Sequence, residues 1–395
     1  MLIEIISFLF FGILFGIFTG LAPGIHINLV SLILVSLSSS LLVFVNPIYF
    51  IVFIVAMSIT HTFVDFIPSI FLGAPEDGTE LSVLPGHELL KSGRGYEAVM
   101  LTNLGGLAAI FILILISFPL VFFVPKIYNF ISEFIPFILI AVSLFMIFSE
   151  GEKLSSLVVF LLSGILGLIV LNLDGLNQPL LPLLSGLFGA SALFLTIKAK
   201  TQVPEQVITK PEIRMAKPLA GSLVSSLICG FLPGLGSGQA AIIGNLISKS
   251  GREEFLVLLG STNTLVMGLS FIAVYAIQKA RTGAAASVQE IFGQIPKEIL
   301  VLILIVVLIS GTLSFFITKI LAEFFSNKIE KINYTKLSIA TIFFLSAIVF
   351  FVSGFLGFFV FFVSTMTGIF CISANVKRTL MMSCLLLPTI VLYLT

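Results

Sequence analysis

GILFGIFTGLAPG occupies residues 12–24, and SLVSSLICGFLPG occupies residues 222–234. Laid over one another without a gap, they match Gly12, Gly16, Gly20, Pro23 and Gly24 to Ser222, Ser226, Gly230, Pro233 and Gly234, at a constant offset of 210 residues. Small residues at every fourth position share one helix face and let a second helix approach closely. Each ladder then ends in Pro-Gly. Proline removes a backbone donor, and glycine admits turns that cost other residues dearly. The flanking sequence is apolar, so the reading is a tightly packed membrane helix that stops abruptly at membrane depth, twice. Interrupted backbone persists there only inside protein or beside a water-filled cavity. Matched interruptions in two halves of one chain point to a transporter binding site.

The rest of the chain agrees with a membrane setting. Of 395 residues, 58% are hydrophobic and 10% charged, against about 25% charged in soluble domains. Mean hydropathy is +1.21. A water-soluble chain of this size could not cover so much apolar surface. The fold class is therefore all-α and polytopic, with roughly ten to fourteen membrane elements at about 20 residues per span. This excludes a soluble enzyme and a disordered adaptor, and a net charge of +1 offers no basic patch for nucleic acid. No Lys or Arg precedes the first apolar stretch and no small-residue cleavage site follows it, which predicts a retained helix. Cys229, Cys371 and Cys384 lie in apolar stretches without metal-ligand spacing and read as small core residues. The polar run Lys198–Lys217 has an excess of Lys and Arg, so it reads as a cytoplasmic connector. The expected organisation is a first repeat over 1–197, a basic linker over 198–217 and a second repeat over 218–395. Whether the repeats are inverted or parallel turns on the helix count.

Polar residues inside apolar runs mark the candidate site. Thr60-His61-Thr62 matches Thr262-Asn263-Thr264 at an offset of 202 residues. His61 and Asp65 stand four apart, on one helical face. A charged Asp at mid-membrane costs about 2.5–3.5 kcal/mol on insertion scales, so Asp65 should face inward and have a partner. The pair reads as an ion or proton site, with H+ or Na+ as the coupling ion and no other cofactor. A buried pair that fixes helix packing is the alternative. His26 and Asn28 follow the first break, and Gly236, Ser237, Gly238 and Gln239 follow the second. Backbone amides in Gly-rich turns ahead of a helix can cradle an anion. The run from Gly73 to Glu97, opening with Gly73, Pro75, Glu76 and Asp77, is the most polar in the chain and is either a solvated loop or folds back into the protein. His87-Glu88 lacks the second histidine of a zinc-protease helix, and Gly236-Ser237-Gly238 has no histidine in its half to serve as base. No enzyme is expected.

These residues resemble a family, the large membrane subunit of tripartite tricarboxylate transporters (TctA-like), of which the chain looks like a divergent archaeal or bacterial member. The family's Gly-rich helix ending in Pro-Gly matches Gly12 to Gly24, and its second such element matches Ser222 to Gly238. Its loop pattern matches Gly73-Ala74-Pro75, Leu84-Pro85-Gly86 and Lys91-Ser92-Gly93-Arg94 through Ala98. The chain departs at Gly260-Ser261-Thr262-Asn263-Thr264, where the family carries an Ala-Pro-Glu run, and at Arg281-Thr282-Gly283-Ala284. The resemblance implies a multi-pass protein of the prokaryotic plasma membrane that carries a small organic anion, di- or tricarboxylate-like. It also implies a small membrane subunit and an extracytoplasmic binding protein as partners, beside membrane lipids. A homodimer is a further assembly open to the chain. The substrate would sit between the Pro23-Gly24 and Pro233-Gly234 breaks, with Thr60, Thr62, Thr262, Asn263 and Thr264 as side-chain ligands. Two other readings stand beside it, a lipid or lipid-phosphate translocase and a structural membrane protein without transport.

Overall fold

A computed structural model describes residues 2–22, 46–75, 78–198, 203–212, 214–231, 235–329, 333–374 and 376–394. Pro23, Gly24, His26, Asn28, Glu76, Asp77, Pro233 and Gly234 lie outside the described residues. Among those described there is no strand. In chain order the helices are α1 (Leu2–Leu21), α2 (Pro47–Val64), α3 (Phe66–Leu72), α4 (Val83–Lys91), α5 (Gly95–Ser132), α6 (Ile135–Phe148), α7 (Lys153–Leu171), α8 (Leu180–Leu184), α9 (Ser191–Lys198), α10 (Ala216–Cys229), α11 (Ser237–Ser248), α12 (Arg252–Ile277), α13 (Gly283–Phe292), α14 (Lys297–Ile329), α15 (Tyr334–Ser373) and α16 (Ser383–Leu394). Seven described segments are long and apolar enough to cross a membrane, and four shorter apolar helices accompany them. Phe351 and Leu115 are 84% and 79% exposed, which suits lipid rather than water. The protein is a polytopic α-helical membrane protein.

Local chemistry sets the helix ends. Asn46 accepts from the Ile48 amide at 3.0 Å and Pro47 starts α2 with its φ already fixed. Pro68 has no N–H to offer the Val64 carbonyl and its ring crowds it, so α2 gives way to α3 at Asp65. In α15, Gly354 takes a φ of 68°, a conformation that needs glycine, and the helix kinks there.

The chain forms two compact units, each assembled from both sides of Lys198–Lys217. The first holds residues 1–67, 97–129 and 210–324. In it α1 lies directly on α2. A Cβ on Gly12 would come within 2.6 Å of the Phe53 carbonyl, one on Gly16 within 2.6 Å of the Met57 carbonyl, and one on Gly20 within 2.8 Å of Val64 Cβ. The expected close-packing face is therefore real on α1. On α10, Gly221 faces the Gly244 carbonyl of α11, and Gly230 faces Leu269 of α12. A Cβ on Gly105 of α5 would overlap the Val257 carbonyl of α12, and one on Gly260 of α12 would overlap the Thr102 carbonyl of α5.

The second unit holds residues 68–96, 130–209 and 325–395. Here the polar run after Gly73 is folded in: Thr79, Glu80, Ser82 and His87 are all buried. Ser82 donates to the Thr79 carbonyl at 2.7 Å, and its oxygen accepts from the Ser69 hydroxyl at 2.8 Å. A π-helical stretch, Ser185–Ala190, sets Gly186 against Ser364 of α15 and Gly189 against the Gly73 carbonyl and Pro75. The connector is fastened to this unit as well. Gln206 accepts from the Gly95 amide at 2.8 Å and donates to the Leu90 carbonyl at 3.1 Å.

Candidate functional site

The central apolar 18-residue stretches of the spans Pro47–Leu72 and Arg252–Ile277 are each 94% buried. Their buried apolar side chains are distributed around the helix, as in enclosed helices. A polar side chain on either must find its partner within the protein.

Asn263 is the centre of the arrangement. Its Nδ2 donates to Asp65 Oδ2 at 2.9 Å, and its Oδ1 accepts from Ser237 Oγ at 3.3 Å. One turn before Asp65, His61 Nε2 lies 3.9 Å from Asp65 Oδ2. His61 Nδ1 lies 3.0 Å from Thr19 Oγ1. The Thr19 hydroxyl spends its single hydrogen on the Gly16 carbonyl at 3.2 Å, so its oxygen accepts from His61. This assigns a proton to Nδ1 and turns Nε2 toward the carboxylate. Thr19, His61, Asp65, Asn263 and Ser237 thus lie in a polar row from the last turn of α1 to the first turn of α11, hydrogen-bonded at each step except the 3.9 Å approach of His61 to Asp65. Thr19 stands four residues ahead of Pro23, and Ser237 three beyond Gly234. Residues flanking both Pro-Gly motifs of the sequence thus belong to the same line.

A second contact joins the two Thr-polar-Thr segments. Thr62 Oγ1 and Thr264 Oγ1 are 3.3 Å apart. Thr62 donates to the Ile59 carbonyl at 2.9 Å, so Thr264 is the donor between them. Gly106 of α5 closes over this pair: a Cβ there would come within 3.1 Å of Thr264 Oγ1. Thr60 accepts from Ser314 Oγ of α14 at 2.9 Å.

Not every expected residue joins. Thr262 bonds to the Leu258 and Leu259 carbonyls of its own helix, each at 3.0 Å. Gln239 turns back to accept from the Gly236 amide at 2.9 Å and so caps α11. Gly238 is buried in the first turn of α11. Gly73 and Pro75 belong to the second compact unit. Sequence reasoning passed over Thr19 and Ser314. Thr19 follows Gly16 by three, on the face that meets α2, and Ser310 and Ser314 of α14 repeat the four-residue spacing of small residues. Those spacings were the available signals.

At the centre of the line Asp65 Oδ2 accepts from the Asn263 amide and stands 3.9 Å from the His61 ring.

The model of the tripartite tricarboxylate transporter TctA family matches residues 6–383. An uncharacterized protein of Methanocaldococcus jannaschii is 33% identical over 399 aligned residues, covering 98% of each chain. No solved structure matches significantly.

Proposed function

From the premise that this chain belongs to the tripartite tricarboxylate transporter TctA family, we propose that it is an ion-coupled secondary transporter of a small organic anion, of di- or tricarboxylate class. The family is one of transporter components rather than enzymes, and this chain is a membrane transporter component. Assembly with a small membrane subunit and an extracytoplasmic binding protein in a plasma membrane belongs to the same proposal. So does a relation by repeat between residues 1–197 and 218–395.

The observation that supports the reading most is the buried line from Thr19 to Ser237, flanking both interruptions and centred on Asp65. In the proposal, the substrate's carboxylates are held by backbone amides after Gly24 and Gly234, with His26, Asn28, Ser237 and the Thr62–Thr264 pair beside them. Helix N-termini suit such groups. An anionic substrate next to an ionised Asp65 is opposed by charge repulsion at low dielectric. Taking up H+ or Na+ at Asp65, with His61 as the second titratable group, removes that repulsion. It also releases the Asn263 amide from its carboxylate. Ion and substrate then enter together because each alone is unfavourable.

The test is uptake of labelled di- and tricarboxylates into proteoliposomes under imposed proton or sodium gradients, paired with thermal shift of the purified chain by the same acids. The expected result is ligand-dependent stabilisation, with Asp65→Asn retaining a folded protein but losing the gradient dependence. Gradient dependence unchanged in Asp65→Asn, or no response to any carboxylate beside rapid lipid scrambling, would overturn it.

A further inference from the structure

One end of the first unit gathers cations onto aromatic rings. Among the described residues, Lys126 lies over Phe122 at 4.1 Å, Lys297 over Phe118 at 5.9 Å, and Lys279 and Arg281 over Tyr128 at 4.9 and 5.4 Å. All three rings stand on the second half of α5. Long cationic side chains at a helix end sit where the hydrocarbon meets the headgroups.

Arg281 differs from an ordinary interfacial arginine. Its Nε and Nη2 are enclosed and, among the described residues, reach no acceptor. A guanidinium cannot shed its proton, and enclosing donors of a charged group without acceptors is costly. Lys279 Nζ donates to the Tyr128 hydroxyl at 3.3 Å. Burial pushes the Tyr128 phenol up, but hydrogen bonds from Arg281 and Lys279, and then their charges, outweigh it and leave it lowered. Among the described residues no carboxylate pairs with Arg281 or Lys279.

An apolar recess opens on the same helices. Phe118, Val121, Tyr275, Leu300 and Leu304 line it, and Lys297 stands at it. Val121 and Tyr128 are seven residues apart on α5 and so share a face. Tyr275 stands in the last turn of α12, and Lys279 and Arg281 follow directly after that helix ends at Ile277. Recess and cationic cluster are therefore neighbours along α5, apolar toward its middle and cationic toward its end.

We propose that this recess and the Tyr128–Lys279–Arg281 cluster form a binding site for one anionic phospholipid. The headgroup phosphate accepts from the Arg281 nitrogens and from Lys279, and an acyl chain lies in the recess under Lys297. Two features select a lipid over a free anion: the recess is lined almost wholly by apolar side chains, and it faces outward beside the exposed Phe118 and Phe122. The site is separate from the polar line described above and stands whether or not the transport reading does.

Native mass spectrometry of the purified full chain, titrated with phosphatidylglycerol, phosphatidylcholine or inorganic phosphate, tests it. Retention of phosphatidylglycerol should exceed that of phosphatidylcholine about tenfold. Arg281→Gln should lower it about tenfold without changing phosphatidylcholine retention, as expected for lost charge-assisted hydrogen bonds. If Arg281→Gln does not fold, Lys279→Gln and Lys297→Gln, both at exposed positions, should each lower the same preference. Equal retention of the two lipids, a preference untouched by these substitutions, or inorganic phosphate stabilising the protein as well as the lipid does would overturn the proposal.

Discussion

Asn263 does what neither threonine beside it can: one amide donates to Asp65 and accepts from Ser237, so three helical segments depend on a single side chain. A buried threonine can fall back on a carbonyl of its own helix, as Thr262 does. Asn263→Ala should therefore cost about 1–3 kcal/mol, the penalty for stranding buried partners. Melting of the purified variant measures it, and unchanged stability would mean that Asp65 and Ser237 find other partners. The Thr62–Thr264 bond should be worth much less. Interhelical hydrogen bonds in membrane proteins average about 0.6 kcal/mol in double-mutant cycles, and a cycle of Thr62→Val with Thr264→Val should return about that. In the second unit, burial first, then the charges of Lys91 and Arg378, push His87 down to about 3 from its usual 6.5. It stays neutral when folded, while the unfolded chain takes up a proton below about 6.5. The unfolded state then binds more protons, so stability is constant above that pH and falls as pH drops from about 6.5 toward 3. Melting between pH 7.5 and 4.5 should show this loss, and His87→Gln should shrink it. Identical slopes would assign the loss to other groups.

Helix α1 is the element whose packing follows most directly from its spelling. Gly12, Gly16 and Gly20 put backbone against α2 with no room for a methyl group, and this holds Thr19 at His61. Gly16→Leu should force the helices apart, cost about 1–3 kcal/mol as overpacking does, and weaken the His61–Thr19 contact. Gly151, with nothing within 4 Å of its added Cβ, supplies the matching control, since Gly151→Ala should melt like the parent protein. The connector shows the opposite relation between spelling and structure. Its charges and prolines read as a solvated strap, yet Gln206 is buried and bonds both the Leu90 carbonyl and the Gly95 amide. Gln206→Ala should leave both groups without that partner. Limited proteolysis should then cut within 203–212 faster than in the parent, and an unchanged cleavage rate would show the strap to be held elsewhere.

For the molecule as a whole, composition determined the setting. A chain that is 58% hydrophobic has more apolar surface than its own core can absorb, and outward residues such as Phe351 and Leu115 leave the excess facing lipid. Spacing determined more. Glycine at every fourth position required a close partner for α1, and an Asp in an apolar run required a donor, because lipid offers neither contact nor hydrogen bond. The Thr-polar-Thr segments match in spelling, and Thr62 meets Thr264. What spacing did not contain was the identity of partners. Periodicity fixes which face of a helix is special but not which other helix covers it. Thr19 and Ser314 are spelled like any packing residue and became part of the polar network only because α1 and α14 lie on α2. Gln239 was spelled like a ligand and became a cap because its own helix start lay nearest. Likewise the two compact units each draw on both sides of the connector. Sequence order constrains only what adjoins along the chain, whereas burial of each small-residue face is settled by whichever helix fits it in space.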